Sequence, residues 1–153
     1  MQTRPAIDGD LLDLFHWRND PQTRLMSFDT EAVRLQDHES WFRASLANPD
    51  RLIVIGLDGE RKIGMVRYDC RDGVAMAAIN LNPAFRGQGL SARLLAESEA
   101  HLPSSWRIES LEAAVKATNL PSLRAFEKAG YQLGKETKVA GGKVLVCRKW
   151  LLD

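Results

Sequence analysis

The chain is 153 residues long, enough for one domain with its own core. Apolar residues make up 44% and charged residues 27%, and the formal net charge is +1, a balance that speaks against a nucleic-acid binder working through a basic face. The two cysteines, Cys70 and Cys147, and the three histidines lack metal-ligand spacing, and no apolar run reaches the length of a membrane span, so neither a metal site nor a membrane anchor is expected.

Met1-Gln2-Thr3-Arg4 carries no apolar leader, so a cytoplasmic location with reduced thiols is the expectation. Thr3 to Ala6 reads as a short first strand. After Asp8-Gly9-Asp10, Leu11, Leu14, Phe15 and Arg18 recur at helical spacing, with Asp8 or Asp10 as cap. Asn19-Asp20-Pro21 stops that helix, because proline disfavours helical geometry in the residue before it. A second helix is expected from Glu31 to Ala47, with Leu35, His38, Phe42 and Leu46 on one face.

Strands follow. Leu52 to Leu57 is a short apolar run, Asp58-Gly59 signals a hairpin, and Ile63 to Tyr68 answers as its partner. Asp72-Gly73 marks another reversal before a strand from Val74 to Leu81, which Pro83 ends because it offers no donor. A helix from Gly89 to His101 turns Leu90, Leu94 and Leu95 inward, and Ile108 to Val115 is the next strand. Asn119 caps a further helix with Pro121 in its first turn, and Gly130 ends it. Tyr131 to Val139 and Lys143 to Cys147 form a closing hairpin over Gly141-Gly142. The order is β-α-α-β-β-β-α-β-α-β-β, an α/β (α+β) chain with a mixed sheet and helices on both faces.

The chemistry concentrates at Arg86-Gly87-Gln88-Gly89-Leu90-Ser91, where a strand meets a helix. The first amides of a helix lack internal partners, and the helix dipole adds partial positive charge, so a pyrophosphate can accept hydrogen bonds there. Gly87 and Gly89 let the backbone come close to an anion, and Arg86 adds a charge. Without a third glycine, a later acidic residue or a following Lys-Ser/Thr, the turn is neither a dinucleotide fingerprint nor a P-loop.

Read together with Asn119-Leu120-Pro121-Ser122 and Phe126-Glu127-Lys128-Ala129-Gly130-Tyr131, the turn resembles the GNAT superfamily of acetyl-CoA-dependent N-acetyltransferases. The match lies in Arg86, Gly89 and Ser91 and in the Asn-x-x-Ser…Glu-Lys-x-Gly-Tyr segment, with the element order agreeing over nearly the whole chain. The resemblance implies a mostly antiparallel sheet with a V-shaped splay between its fourth and fifth strands. It implies acetyl-CoA as co-substrate, with the pyrophosphate on Gly87 to Ser91, the pantetheine arm along Ile79, Asn80 and Leu81, and Asn119, Ser122 and Phe126 on the other side. Lys116, Arg124 and Lys128 are candidates for its 3′-phosphate. Phe126 stands where many relatives carry a tyrosine that protonates the leaving thiolate, so the acid is left open, with Tyr68 and Tyr131 as substitutes.

A narrower resemblance lies in Trp17-Arg18-Asn19-Asp20, Arg24 to Phe28, His38-Glu39-Ser40-Trp41-Phe42 and Ile63 to Asp69. These segments are similar to GNATs that acetylate amino groups on nucleotide-linked deoxy sugars of the pseudaminic-acid type, and in part to ribosomal-protein N-terminal acetyltransferases. The acceptor is then a small-molecule amine on a nucleotide-sugar, with a protein N-terminus or a non-catalytic acyl-CoA-binding module as the alternatives, and a homodimer left open. Trp17, Arg18, Asn19, Arg24, Phe28 and Arg67 are the candidate acceptor-binding residues, because arginines suit phosphates and aromatic rings stack on sugars or bases. Glu112, Asp69 and His38 are the candidates for the base.

Overall fold

The computed structural model describes residues 1–140 and 142–151. Seven strands form one sheet in the order β1-β2-β3-β4-β5-β7-β6: β1 (Gln2–Pro5), β2 (Arg51–Asp58), β3 (Arg61–Arg71), β4 (Val74–Leu81), β5 (Ser110–Lys116), β6 (Gln132–Val139) and β7 (Gly142–Trp150). All neighbours are antiparallel except β4 and β5. The helices are α1 (Leu11–Asn19), α2 (Pro21–Met26), α3 (Leu35–Ala47), α4 (Leu90–Ser98) and α5 (Leu120–Lys128).

Strand alternation divides the core in two. Val66, Tyr68, Ala75, Ala77, Leu111, Ala113 and Val115 pack against Leu94 and Leu95 of α4 and Leu123 and Phe126 of α5. Ile53, Ile55 and Met65 face the other way, against Leu14 and Trp17 of α1 and Phe42 of α3. Because both faces of β2 are covered, its centre is a continuous apolar run, Ile53-Val54-Ile55, rather than an alternating one.

Three local readings change. The second long helix begins at Leu35, not Glu31, and His38, Phe42 and Ser45 are its buried residues while Leu35 and Leu46 are exposed. The stop at Asn19-Asp20-Pro21 is also a start. The Asp20 side chain accepts from the Thr23 amide at 3.1 Å and Pro21 takes the first helical position, which launches α2, a helix absent from the expected order. In the closing hairpin Val139 pairs with Gly142, and Gly141 lies outside the described residues.

One buried carboxylate pins the sheet edge that carries α1. Asp10 is fully buried and takes Arg4 in a bidentate pair at 2.8 and 3.0 Å, the Ile7 amide at 2.9 Å and Lys62 at 2.7 Å. Burial pushes its carboxyl up, but these partners outweigh burial and hold it at about 2. A depressed native value stabilises the fold above the unfolded value near 3.8, and that stabilisation, about 2 kcal/mol, is lost as pH falls towards 2. Asp10→Ala is expected to cost about 3 kcal/mol in urea unfolding at neutral pH, because two cations and an amide lose their acceptor. It should also flatten the loss of stability between pH 4 and pH 2; an unchanged midpoint would refute the role.

Candidate active site

The parallel register of β4 with β5 covers only Val74 with Ser110, Ala75 with Leu111 and Met76 with Glu112. Pairing of β4 with β3 continues to Leu81. The β5-facing backbone edge of β4 from Ala77 to Leu81 is therefore without a strand partner, and the sheet opens there. Gly64, opposite Leu81, sets the approach of β3 at this point. A Cβ on it would lie 2.8 Å from the Asn80 carbonyl oxygen and 3.0 Å from the Leu81 Cα, so any side chain would push the end of β4 away.

Beyond β4 the chain is fastened before it turns. The Asn82 amide group donates to the Lys62 carbonyl at 2.9 Å, and its side-chain oxygen accepts from the Ala84 amide at 3.1 Å. Gly87 and Gly89 then adopt left-handed φ angles of 75° and 69°, with nothing within 4 Å of a would-be Cβ. The demand is conformational, and the space above the turn is open. α4 starts at Leu90 with no side chain capping its first amides. A cleft of about 380 Å³ opens onto those amides.

Of the residues expected to hold the coenzyme, Ile79, Asn80, Leu81, Arg86, Gly87, Gly89, Leu90, Ser91, Asn119 and Ser122 line this cleft. Gln88 is exposed and stands outside its wall, and Phe126 is buried in the core edge-on to Tyr131, with ring centroids 4.9 Å apart. Lys128 is on the wall, whereas Arg124 is exposed outside it and Lys116 donates to the Leu25 carbonyl at 3.1 Å. Uncapped amides, a glycine turn and an unpaired strand edge fit a ligand with a pyrophosphate and an amide-bearing arm.

Two features of the cleft were not foreseen. Gln22, Thr23, Met26 and Ser27 of the α2 segment form one of its walls. The Arg86 guanidinium, on the cleft wall, pairs through Nη2 with Asp20 and donates to the Thr23 hydroxyl at 2.9 Å. The hydrogen bond from Arg86 holds the Asp20 carboxyl below its ordinary value.

A second cavity, of about 310 Å³, lies on the face covered by α1 and α3 and shares Asn80 with the first. Arg18, Arg67, His38, Trp41 and Asp37 line it, with Leu14, Val33, Met65 and Ala78. The register explains the grouping, since Met65 faces Asn80 and Arg67 faces Ala78 across β3 and β4. Only Arg18 and Arg67 of the expected acceptor residues are here. Trp17 is core. Asn19 is consumed in a reciprocal pair with the Val33 backbone at 2.8 Å each way. Arg24 donates to the Thr30 carbonyl at 3.1 Å, and Phe28 is exposed outside the cavity.

Of the three candidate bases, His38 alone lines this cavity. Its ring is nearly buried, between Phe15 and Trp41 at centroid distances of 5.4 and 5.7 Å and stacked on Phe42 at 6.1 Å. Nε2 lies 2.9 Å from the Leu11 carbonyl, which can only accept, so Nε2 carries the proton and Nδ1 is the basic atom. Burial pushes its pKa below the ordinary 6.5, and Arg18 adds to the effect against the Leu11 hydrogen bond. Asp69 is pinned by Arg51 at 2.5 Å and Arg67 at 3.1 Å and lines neither cavity. Glu112 is engaged by Arg148 across β5 and β7, also away from both. The tyrosines offered as acids are unsuited to the task. Tyr68 donates into the core near Ser98, with 2.6 Å between oxygens, Tyr131 is buried, and burial pushes both phenols well up. The hydroxyl and ammonium groups on the wall of the first cleft are instead those of Thr23, Ser27, Ser91, Ser122 and Lys128.

The sequence matches the acetyltransferase (GNAT) domain family over residues 2–132, and the chain belongs to that family. It is an N-acetyltransferase with acetyl-CoA as its co-substrate. Comparison with curated proteins finds no match. Among solved structures, the fold is similar to a ribosomal-protein-alanine N-acetyltransferase from Brucella melitensis, with TM-score 0.83 and 20% identity over 99% of this chain and 100% of that one. It is similar to the spermidine N-acetyltransferase from Vibrio cholerae with CoA and spermine, with TM-score 0.85 and 14% identity over 97% and 94%. It is also similar to the aminoglycoside acetyltransferase AAC(6')-Ib with coenzyme A and kanamycin, with TM-score 0.81 and 18% identity over 97% and 94%.

Gly89→Glu tests the turn. The substitution strains a left-handed residue and puts a carboxylate at the anion site, so calorimetry should find acetyl-CoA binding lost while the protein stays folded, its melting temperature lowered by a few degrees. Unchanged affinity would rule out a pyrophosphate at this turn.

Proposed function

We propose that the protein transfers the acetyl group of acetyl-CoA to the primary amine of a nucleotide-linked amino sugar, by direct attack with both substrates bound and with His38 as the base. The observation that carries this reading is the meeting of the two cavities at Asn80, beside the unpaired edge of β4. A thioester lying along that edge ends where the second cavity begins, so the two reactants are held at high effective concentration. The Leu81 backbone N–H, on the open edge of β4, is available to polarise its carbonyl.

The coenzyme supplies an activated acetyl group; the chain supplies position and a place for the proton. The amine must attack in its neutral form. An amine on a sugar ring is less basic than a lysine, so a modest base is enough. His38 is neutral at physiological pH, with Nδ1 free and Nε2–H fixed on Leu11. As the C–N bond forms, the amine proton passes to Nδ1, directly or through a water, and the C–S bond of the thioester breaks to release the coenzyme thiolate, which takes its proton from solvent. The positive charge then rests beside Arg18, which favours its prompt release to solvent. Arg67 and Trp41 offer the acceptor a hydrogen-bonding fork and a ring face.

The pH dependence tests the base. In wild type, kcat/KM should show an acidic limb with its midpoint below 6.5, because activity needs the neutral imidazole and its pKa is depressed. The measurement is free-thiol release with a UDP- or dTDP-linked amino sugar. His38→Gln should remove that limb and lower kcat about 100-fold, leaving only the ionisation of the amine itself. Glu112→Gln should keep the limb. A limb that survives in His38→Gln would eliminate His38 as the base, and an absence of thiol release with every amine would eliminate the transfer.

A further inference from the structure

The second cavity holds more positive charge than the chain neutralises. Arg18 donates through Nη2 to the Asp29 carbonyl at 3.0 Å, while its Nη1 is buried and has no partner among the described residues. Arg67 shares its one carboxylate: Asp69 accepts from Arg67 Nε at 3.1 Å with one oxygen and from Arg51 Nε at 2.5 Å with the other. Asp37, the remaining acid on the cavity wall, points its mostly exposed carboxylate to Arg34 at 3.1 Å. His38 is kept neutral beside them. Asp69 lies outside the cavity and is shared between Arg67 and Arg51, so Arg18 and Arg67 stand on the wall without a carboxylate of their own. Burial depresses the Arg67 pKa against the pull of Asp69, and Arg51 and Arg18 depress it further.

Like charges brought together out of water, with one donor left unmade, are tolerated where a ligand supplies the missing acceptor. A guanidinium fork binds phosphate and carboxylate oxygens in a bidentate fashion. The same charges repel a second ammonium on the acceptor. We infer that the acceptor bears an acidic group, a phosphate or a carboxylate, which docks on Arg18 Nη1 and Arg67 and turns the amine towards Asn80, so that polyamines and polyamino sugars are poor acceptors. The cavity, at about 310 Å³, is at the small end for small-molecule sites and takes the amino-sugar ring with the acidic group next to it, the rest of a nucleotide-linked acceptor lying outside. This inference rests on the acceptor cavity assigned above and narrows what enters it.

The test compares matched amines by thiol release: glucosamine, glucosamine 6-phosphate, a UDP-linked amino sugar, glutamate and spermidine. The best phosphorylated or carboxylated acceptor should exceed both glucosamine and spermidine at least tenfold in kcat/KM. Whether a phosphate or a carboxylate amine leads tells the two sources apart. Arg18→Gln should raise KM for that acceptor about tenfold, with acetyl-CoA affinity as in wild type. Arg18→Lys, which keeps the charge and loses the fork, should fall between them and guards against misfolding. Calorimetry of the acetyl-CoA-loaded protein with inorganic phosphate and with acetate reads the cradle without turnover, and binding weakened tenfold by both Arg18→Gln and Arg67→Gln is expected. Equal anion affinity in wild type and variants, or spermidine as the best acceptor, would overturn the inference. Anion binding without thiol release from any amine would leave the cradle standing and overturn the transfer reaction instead.

Discussion

After Met76, β4 keeps its partner on one side and loses it on the other, and the active site is a consequence of that loss. An unpaired strand edge inside a protein is costly unless something fills it, because its amides and carbonyls are otherwise unsatisfied. Here the edge opens into a cleft instead of packing against chain, and the cleft runs on to the uncapped amides of α4. Both features want hydrogen-bonding partners of a particular kind, the edge an extended amide-bearing arm and the helix end an anion. One molecule meets both demands when its anion and its arm are joined, as they are in the coenzyme. Gly64 keeps β3 close where β4 ends, so the opening forms on the β5 side alone.

The acceptor side follows from the same strands by alternation. Residues on β3 and β4 that point away from the coenzyme helices are Met65, Arg67, Asp69, Ala78 and Asn80, and the helices laid over them bring Arg18, His38 and Trp41. Asn80 is the hinge between the halves because it sits where the sheet has begun to open and lines both cavities. The chemistry of the two halves differs accordingly. The first cleft presents backbone groups of the glycine turn and of the open β4 edge, which do not depend on side-chain identity. The second presents charged and aromatic side chains in a partly dry setting, where each substitution changes the surface.

This difference also explains how far the sequence could be read. The turn from Arg86 to Ser91 and the cap at Asn119 are local signals, with glycine, proline and asparagine at fixed offsets; Arg86, Gly87, Gly89, Leu90, Ser91 and Asn119 line one cleft, and Asn119 caps α5. The strands were legible from apolar runs and Asp-Gly turns, with shifts at their ends. α2 was not, because six residues carry too little periodicity and Pro21 was taken for a stop, although Asp20 followed by proline is equally a helix start. The acceptor half depends on contacts distant in sequence. Asn19 and Arg24 have the right chemistry for a sugar phosphate but spend it on backbone carbonyls within their own loop. Phe126, expected beside the coenzyme, sits with Leu123 on the inner face of α5 and packs into the core. Glu112 faces the acceptor side by register, yet Arg148 on the neighbouring strand occupies it, a pairing no local pattern reveals.

The ion pair between Arg86 and Asp20 joins the two halves. Asp20 follows directly on α1, two residues after Arg18, and caps α2, which walls the coenzyme cleft. Arg86 precedes the glycine turn. Holding the two together fixes the end of α1 relative to the anion site, and with it the guanidinium of Arg18 relative to Asn80. A fully exposed pair would be too weak for such a task, but this one is largely covered on both sides, with side-chain exposures of 29% and 18%, and the Thr23 hydroxyl takes a further hydrogen bond from Arg86. Arg86, expected to bind the coenzyme and present on the cleft wall, thus also aligns the two cavities, while the uncapped amides of α4 remain open to the cleft.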